Sequence, residues 1–149
     1  MKPDDPSVDG SETLYWRAPR LPLENWTVFD EGRRGHRVRA GAFVWNDDGV
    51  SCYRHTILEG VGLDWQCVKK EPINGILSVD VEAVRRCELG VAPDPNPDYI
   101  PHDELQPQDQ AHALIVVGDG VKPRKRGERC SRLARAAKIV HWGDGQEPQ

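Results

Sequence analysis

The sequence predicts a single small domain of the α+β class, in which a mainly antiparallel sheet carries a C-terminal amphipathic, basic helix packed on it. The chain has 149 residues, a length typical of one domain. Short segments rich in β-branched residues are separated by turn residues, which is the pattern of antiparallel strands. One segment near the C-terminus repeats its apolar residues at helical spacing.

The first predicted strands form a hairpin. Residues 37–45 alternate between two faces, and residues 50–58 supply a returning strand. Residues 46–49 between them have turn chemistry, because Asx side chains open turns and glycine tolerates a positive φ. One side of the returning strand carries Ser51, Tyr53, His55 and Ile57. The pattern does not show which face of the hairpin is buried.

The core of the predicted sheet lies in residues 113–117. This run is continuously apolar, too short for a helix and followed by a glycine-containing turn, which predicts a central strand buried on both faces. His112 stands at the entry of this strand. Residues 75–81 predict another strand, and residues 81–89 predict a helix that is capped by Gly90.

A helix is predicted over residues 127–141, at the end of a strongly basic segment. Residues 122–138 contain eight basic residues and a single acid, Glu128. At helical spacing one stripe of this helix is apolar and packs, while the opposite face is cationic. The packing stripe comprises Cys130, Leu133, Ala134, Ala137 and His141. The candidate binding residues are Arg124, Lys125, Arg129, Arg132 and Arg135.

The folded domain is expected to span residues 11–142. Residues 1–10 carry three aspartates and two prolines with Val8 as their apolar anchor, so they are predicted to be a disordered acidic tail, and residues 143–149 a second disordered tail. Residues 93–109 contain five prolines and five acidic residues and no lysine or arginine, which predicts a long surface loop. Loops of this length in small domains commonly bind a partner or remain mobile.

Several classes of protein and site are excluded by composition. No stretch approaches the roughly 18 apolar residues of a membrane span, and the N-terminus has no secretory signal, so we expect a cytoplasmic protein that does not bind membranes. The four cysteines lie 15, 20 and 43 positions apart without a CxxC pair, so neither a metal site nor a disulfide is predicted. Residues 118–120 lack the third glycine of the dinucleotide fingerprint, so no cofactor is predicted.

Charge leads to the first functional hypothesis. The net charge of -4 argues against a generic nucleic-acid binder. The basic segment 122–138 nevertheless leaves nucleic acid or a phosphate-bearing ligand open as a partner. We expect an interaction or accessory protein that docks a protein partner of opposite charge through the acidic loop or the basic helix.

The alternative is a small metal-independent phosphodiesterase or nucleic-acid-processing enzyme. In this hypothesis His112 and His55 act as general acid and base, Arg39 stabilises developing charge and Tyr53 lies nearby. It requires both imidazoles to share one hydrogen-bond network in a cleft with Arg39. No serine or cysteine elbow supports acyl transfer. The sequence does not decide between a docking protein and an enzyme.

A set of short motifs is spread along the chain. Arg37 is followed by Gly41-Ala42-Phe43, Val50-Ser51-Cys52, Gly90-Val91 leading to Asp94-Pro95, Ala111-His112-Ala113 and Leu133-Ala134. This set resembles a loosely defined group of short bacterial proteins of unknown function, over about residues 30 to 140. It departs from that group at Val44, where we expect lysine. The resemblance implies a compact bacterial protein encoded beside mobile-element or defence genes, and it transfers no catalytic residue.

Overall fold

The structure is a computed structural model that describes residues 2–19 and 22–148. Eight strands and three α-helices form within these residues. The strands are β1 (Thr13–Arg17), β2 (Thr27–Asp30), β3 (Gly35–Val38), β4 (Val50–Arg54), β5 (Ile76–Asp80), β6 (Gly90–Pro93), β7 (His112–Val116) and β8 (Lys138–His141). The helices are α1 (His55–Gly60), α2 (Val81–Arg86) and α3 (Pro123–Ala136).

Six strands form one antiparallel sheet in the order β6-β7-β4-β1-β5-β8, and β2 and β3 form a separate two-stranded ribbon. Every neighbouring pair in the large sheet is antiparallel. The predicted α+β class and the mainly antiparallel sheet are therefore confirmed. No helix in the described ranges is long and apolar enough to cross a bilayer.

The predicted central strand is confirmed, because all five residues of β7 are buried. Its alternate side chains enter different clusters. Ala113 and Ile115 belong to the main core, in which the sheet packs against Cys130, Leu133 and Ala134 of α3. A C-terminal basic helix packed on the sheet is thus confirmed as well.

The opposite face of the sheet is covered by short elements. α1 and the 3-10 turns Trp65–Val68 and Pro107–Ala111 supply the apolar residues that pack there, among them Leu58, Val68 and Ala111. Because side chains alternate along a strand, Tyr53 and His112 lie on this face, whereas Cys52 and Ala113 lie on the α3 face.

The predicted hairpin of residues 37–45 with 50–58 is wrong. β3 ends at Val38 and pairs with β2, while β4 ends at Arg54 and pairs with β1 and β7. The turn between them is present, since Asn46 Oδ1 accepts hydrogen bonds from the backbone N–H groups of Asp48 and Gly49. The turn therefore formed as expected, but β3 pairs with the preceding strand and β4 pairs with strands far away in the chain.

Two helix boundaries also differ from prediction. α3 begins at Pro123, where a missing N–H costs nothing, and ends at Ala136 rather than near residue 141. His141 is in β8, which pairs with β5 through Lys138, Ile139 and His141 and forms one edge of the sheet. Gly90 begins β6 and is not a helix cap; the chain leaves α2 through Glu88, which has φ 59°.

Both terminal segments make contacts with the rest of the domain, although most of their residues are exposed. Val8 is 2% exposed, and Arg85 donates hydrogen bonds to the carbonyl oxygens of Asp5 and Val8. The backbone N–H of Asp144 donates to Pro72 O. The acidic residues that suggested disorder instead accept internal hydrogen bonds. Residues 1 and 149 lie outside the described part of the chain.

Gly49 is a turn position where a side chain is poorly tolerated. Its φ is 135°, and an added Cβ would collide with the carbonyl oxygen of Ile115 on β7. We expect Gly49→Ala to lower the free energy of unfolding by roughly 1–3 kcal/mol, measured by urea denaturation. Gly127→Ala is the matched control, because Gly127 lies inside α3 with open space around it; it is expected to raise stability by about 0.5–1 kcal/mol. Equal effects of the two substitutions would contradict this account.

Candidate active site

His112 is held in a fixed position by the sheet. As the first residue of β7 it is opposite Tyr53 of β4, and the two rings meet edge to face with centroids 5.6 Å apart. Tyr99 approaches from the acidic loop with its ring centroid 6.2 Å from that of His112. The imidazole is 1% exposed. A side chain so buried needs partners for both ring nitrogens.

Both ring nitrogens of His112 have such partners. Nδ1 lies 3.1 Å from Oδ2 of Asp94 and 3.2 Å from the Asp94 carbonyl oxygen, and Nε2 lies 3.1 Å from Oγ of Ser51. Because both neighbours of Nδ1 are acceptors, we assign the proton to Nδ1. Nε2 then accepts a hydrogen bond from the Ser51 hydroxyl. Ser51, His112 and Asp94 form a continuous hydroxyl–imidazole–carboxylate relay.

Burial keeps the imidazole neutral. Removal from water lowers the pKa of His112 from its ordinary value of 6.5, although hydrogen bonding and charge from Asp94 act in the opposite direction. Burial outweighs Asp94 in the net direction of the shift. At neutral pH the lone pair on Nε2 is therefore available to take a proton from Ser51.

Asp94 is oriented by two further contacts. Its other carboxylate oxygen, Oδ1, lies 2.7 Å from Nζ of Lys2, and its backbone N–H donates to the His112 carbonyl oxygen over 2.9 Å. One carboxylate oxygen thus faces the imidazole and the other faces a cation. The Asp94 side chain thus contacts the imidazole on one side and the Lys2 ammonium on the other.

Ser51 borders a cleft where the sheet divides. β1 and β4 pair only at Leu14↔Arg54 and Tyr15↔Tyr53, whereas β1 continues along β5 and β4 continues along β7. The diverging strands leave a cleft of about 270 Å³. Its walls include Trp16, Arg17, Val44, Asn46, Ser51 and Tyr53. Ser51 is half-buried and therefore lies between solvent and the enclosed imidazole.

The Tyr53 phenol in the cleft remains protonated at neutral pH. Burial raises the pKa of the Tyr53 phenol, while the nearby Arg17 guanidinium opposes that rise. Arg17 is itself anchored, since its Nη1 donates to the carbonyl oxygen of Val68 over 2.8 Å. The cleft thus presents a serine hydroxyl, a phenol and a fixed guanidinium.

The structure brings together only part of the predicted enzyme site. Tyr53 and His112 are neighbours, but His55 contacts the hydroxyl of Tyr15 at 3.1 Å and Glu59 at 2.9 Å. No hydrogen bond among the described residues joins the two histidines into one network. Arg39 donates to Glu24 O and lines a groove beside α3, away from His112. The predicted pairing of two imidazoles with Arg39 is therefore not formed.

Sequence reasoning missed Ser51 and Asp94. The alternation of residues 50–58 did place Ser51 and Tyr53 on one side of a strand, which was a usable signal. Asp94 was assigned to a surface loop because prolines flank it. Neither residue belongs to a nucleophile-elbow motif, because Ser51 lies within a strand instead of on a strand-to-helix turn.

Most predicted basic residues have acidic neighbours. Arg124 and Lys125 lie 3.7 and 3.8 Å from Glu128, while Arg129 and Arg132 lie 3.7 and 3.6 Å from Glu88. Arg135 has no carboxylate within 4.0 Å among the described residues and shares a groove of about 420 Å³ with Arg37, Arg39 and Ser131. Arg135, near the end of α3, is thus the one predicted binding residue without a carboxylate partner among the described residues.

The cysteines and acidic residues do not form a second site in the described ranges. All four cysteines are free, and burial raises the pKa of each thiol. No group of three or more His, Cys, Asp or Glu residues in residues 2–19 and 22–148 could hold a metal ion.

Comparisons with protein-family models, curated proteins and solved structures find no match to this chain. The features of the molecule that bear on its function are the Ser51–His112–Asp94 relay and the charged surfaces.

We expect acidification to destabilise the fold through His112. The unfolded imidazole has a pKa of about 6.5, and the folded pKa is lower. Below about pH 6.5 the unfolded chain binds the proton before the folded chain does, so the free energy of unfolding falls as pH falls. Urea denaturation between about pH 7.5 and about pH 5.5 measures this slope.

His112→Gln removes the titrating group, so its slope over the same range is expected to be shallower. Four aspartates have pKa values lowered from 3.8, namely Asp5, Asp9, Asp30 and Asp144. They lose their stabilising effect at more acidic pH, so they do not affect the slope in this range. An unchanged slope in the variant would show that His112 does not titrate as described.

Proposed function

We propose that the protein is an enzyme that uses Ser51 as a nucleophile to hydrolyse a small ester or similarly activated acyl compound. The observation that carries the proposal is the relay from Ser51 Oγ to His112 Nε2 and from His112 Nδ1 to Asp94, located at the edge of the cleft. It retains His112 from the enzyme hypothesis drawn from the sequence and replaces its partners.

The first half-reaction transfers the acyl group to Ser51. His112 Nε2 removes the hydroxyl proton as Oγ forms a bond to the substrate carbonyl carbon, and Asp94 stabilises the imidazolium that results. The tetrahedral intermediate collapses with cleavage of the bond to the leaving group. The imidazolium gives its proton to that leaving group, which departs as an alcohol or phenol.

The second half-reaction restores the serine. His112 Nε2 removes a proton from water while the water oxygen bonds to the acyl carbon. Cleavage of the acyl–Oγ bond releases a carboxylic acid, and the imidazolium returns its proton to Ser51. Atoms and charge balance with water as the only co-reactant. The neutral imidazole that burial favours is the form each half-reaction begins with.

A second function is supported by the charge distribution. Arg39 and Arg135 are exposed, line one groove and have no carboxylate within 4.0 Å among the described residues. This supports the docking of an acidic protein segment there, as proposed from the sequence for the basic helix. The acidic loop is a weaker docking surface, because Asp94 and Asp109 are used in internal contacts.

The nucleophile is tested with a fluorophosphonate probe, which modifies activated serines, followed by intact-mass and peptide mass spectrometry. Modification of Ser51 is expected in the wild-type protein and none at that position in Ser51→Ala. We expect His112→Gln and Asp94→Asn to lower the labelling rate by about 10²-fold or more, because each removes part of the general base. Ser131→Ala, an exposed serine of α3, is the matched control and is expected to label as the wild type does.

Two results would overturn the enzyme proposal. One is an absence of Ser51 modification in a folded wild-type protein, which would leave the relay as a structural anchor for β4 and β7. The other is turnover of bis(4-nitrophenyl) phosphate with no turnover of 4-nitrophenyl acetate, which would favour phosphodiester chemistry.

The docking proposal is tested by binding of labelled poly-L-glutamate, measured by fluorescence anisotropy at increasing salt concentration. The double change of Arg39 and Arg135 to Glu is expected to weaken binding by about tenfold or more at low salt, since exposed charges act mainly through screened attraction. Arg124→Glu, at the opposite end of α3, is the control and is expected to weaken binding less. Equal losses would show that the groove has no special role.

A further inference from the structure

The described residues that line the cleft beside Ser51 carry a positive charge. Among the described residues that line it, Arg17 is the only one with a charged side chain. Burial raises the pKa of Tyr53, which keeps this phenol neutral, and His112 is neutral for the reason given above. A substrate in the cleft therefore meets one fixed positive charge and no negative charge from these lining residues.

Arg17 and Ser51 line the same cleft from neighbouring strands. Continuing the register Tyr15↔Tyr53 by two residues places Arg17 opposite Ser51 on the same face of the sheet. β1 and β4 are no longer paired at this point, and the cleft lies between them. Because both side chains line the cleft, a small molecule bound there contacts each of them.

The guanidinium is held but not neutralised. Nη1 donates to the carbonyl oxygen of Val68 over 2.8 Å, which fixes the side chain, and no described carboxylate forms an ion pair with it. A backbone carbonyl accepts one hydrogen bond and leaves the positive charge in place. A guanidinium with remaining N–H donors is well suited to bind a carboxylate or phosphate.

We infer that the substrate of Ser51 carries an anionic group, a carboxylate or a phosphate, that binds Arg17 a few bonds away from the reacting carbonyl. This inference rests on the proposed function of Ser51. Apolar contacts from Trp16, Val44 and Val50 surround the short chain between the two groups. With a volume of about 270 Å³ the cleft accommodates a small acyl group of this kind.

The test compares esters of similar shape and different charge. Mono-4-nitrophenyl succinate presents a carboxylate, 4-nitrophenyl 3-phosphonopropanoate presents a phosphonate, and 4-nitrophenyl butyrate presents a neutral chain end. We expect kcat/KM of the wild-type protein to be about tenfold or more higher for an anionic ester than for butyrate. The better of the two anionic esters identifies the group that Arg17 prefers.

Two substitutions assign the preference to Arg17. In Arg17→Gln the ratio of kcat/KM between anionic and neutral esters is expected to fall to near one. In Arg17→Lys, which keeps the charge and a donor for Val68 O, an intermediate ratio is expected. Arg124→Gln removes an exposed arginine far from the cleft and is expected to keep the wild-type ratio.

The outcomes separate this inference from the proposed function. Hydrolysis of all three esters at similar kcat/KM, or an unchanged ratio in Arg17→Gln, overturns the role of Arg17 and leaves Ser51 as the nucleophile. No hydrolysis of any ester, together with no fluorophosphonate modification of Ser51, overturns the enzyme itself. Partial unfolding of Arg17→Gln would lower kcat/KM for all three esters by the same factor. The ratio between anionic and neutral esters would then stay at the wild-type value, which differs from the expected result.

Discussion

The pairing of β4 with β7 is the constraint on which the candidate site depends. Its register places Tyr53 opposite His112 and Ser51 opposite Leu114, so the serine, phenol and imidazole share one face of the sheet. A slip of one residue would turn Ser51 to the α3 face, where Cys52 now packs. Val50 and Cys52 of β4 oppose that slip, because both pack in the main core. Core packing thus determines the geometry of the polar site.

The burial of His112 has an energetic cost and a chemical use. Removing an imidazole from water is tolerable when the ring is neutral and both nitrogens are hydrogen-bonded. Asp94 and Ser51 meet that requirement. The same neutrality leaves an unprotonated Nε2 beside a hydroxyl, so the condition for stable packing is also the condition for general-base chemistry. The exposed charges of α3 differ from this site, since Arg124 and Arg132 lie close to glutamates at the surface, where such pairs contribute little to stability.

Local patterns in the sequence predicted local structure. The apolar run 113–117, the Asx turn at 46–49 and the packing stripe at Cys130, Leu133 and Ala134 each depend on residues close in the chain. The site depends on distant pairings, because Ser51 and His112 are 61 positions apart. Periodicity shows the face of a strand but not its partner, so His112 and Tyr53 were found while Ser51 and Asp94 were not. β8 was missed for a related reason: Lys138–His141 becomes extended only because β5 offers an edge.

The packed N-terminal segment also protects the sheet from other chains. β6 is the last strand on one side of the sheet, and an unpaired edge is a template for pairing with a neighbouring molecule. Val91 of this strand is occupied on both backbone groups: its carbonyl oxygen accepts from the Asp5 N–H, and its N–H donates to the Asp4 carboxylate. The aspartates and prolines of this segment are poor at continuing a sheet, so the edge ends there. The N-terminal segment therefore occupies the backbone groups of Val91 that another chain could otherwise pair with.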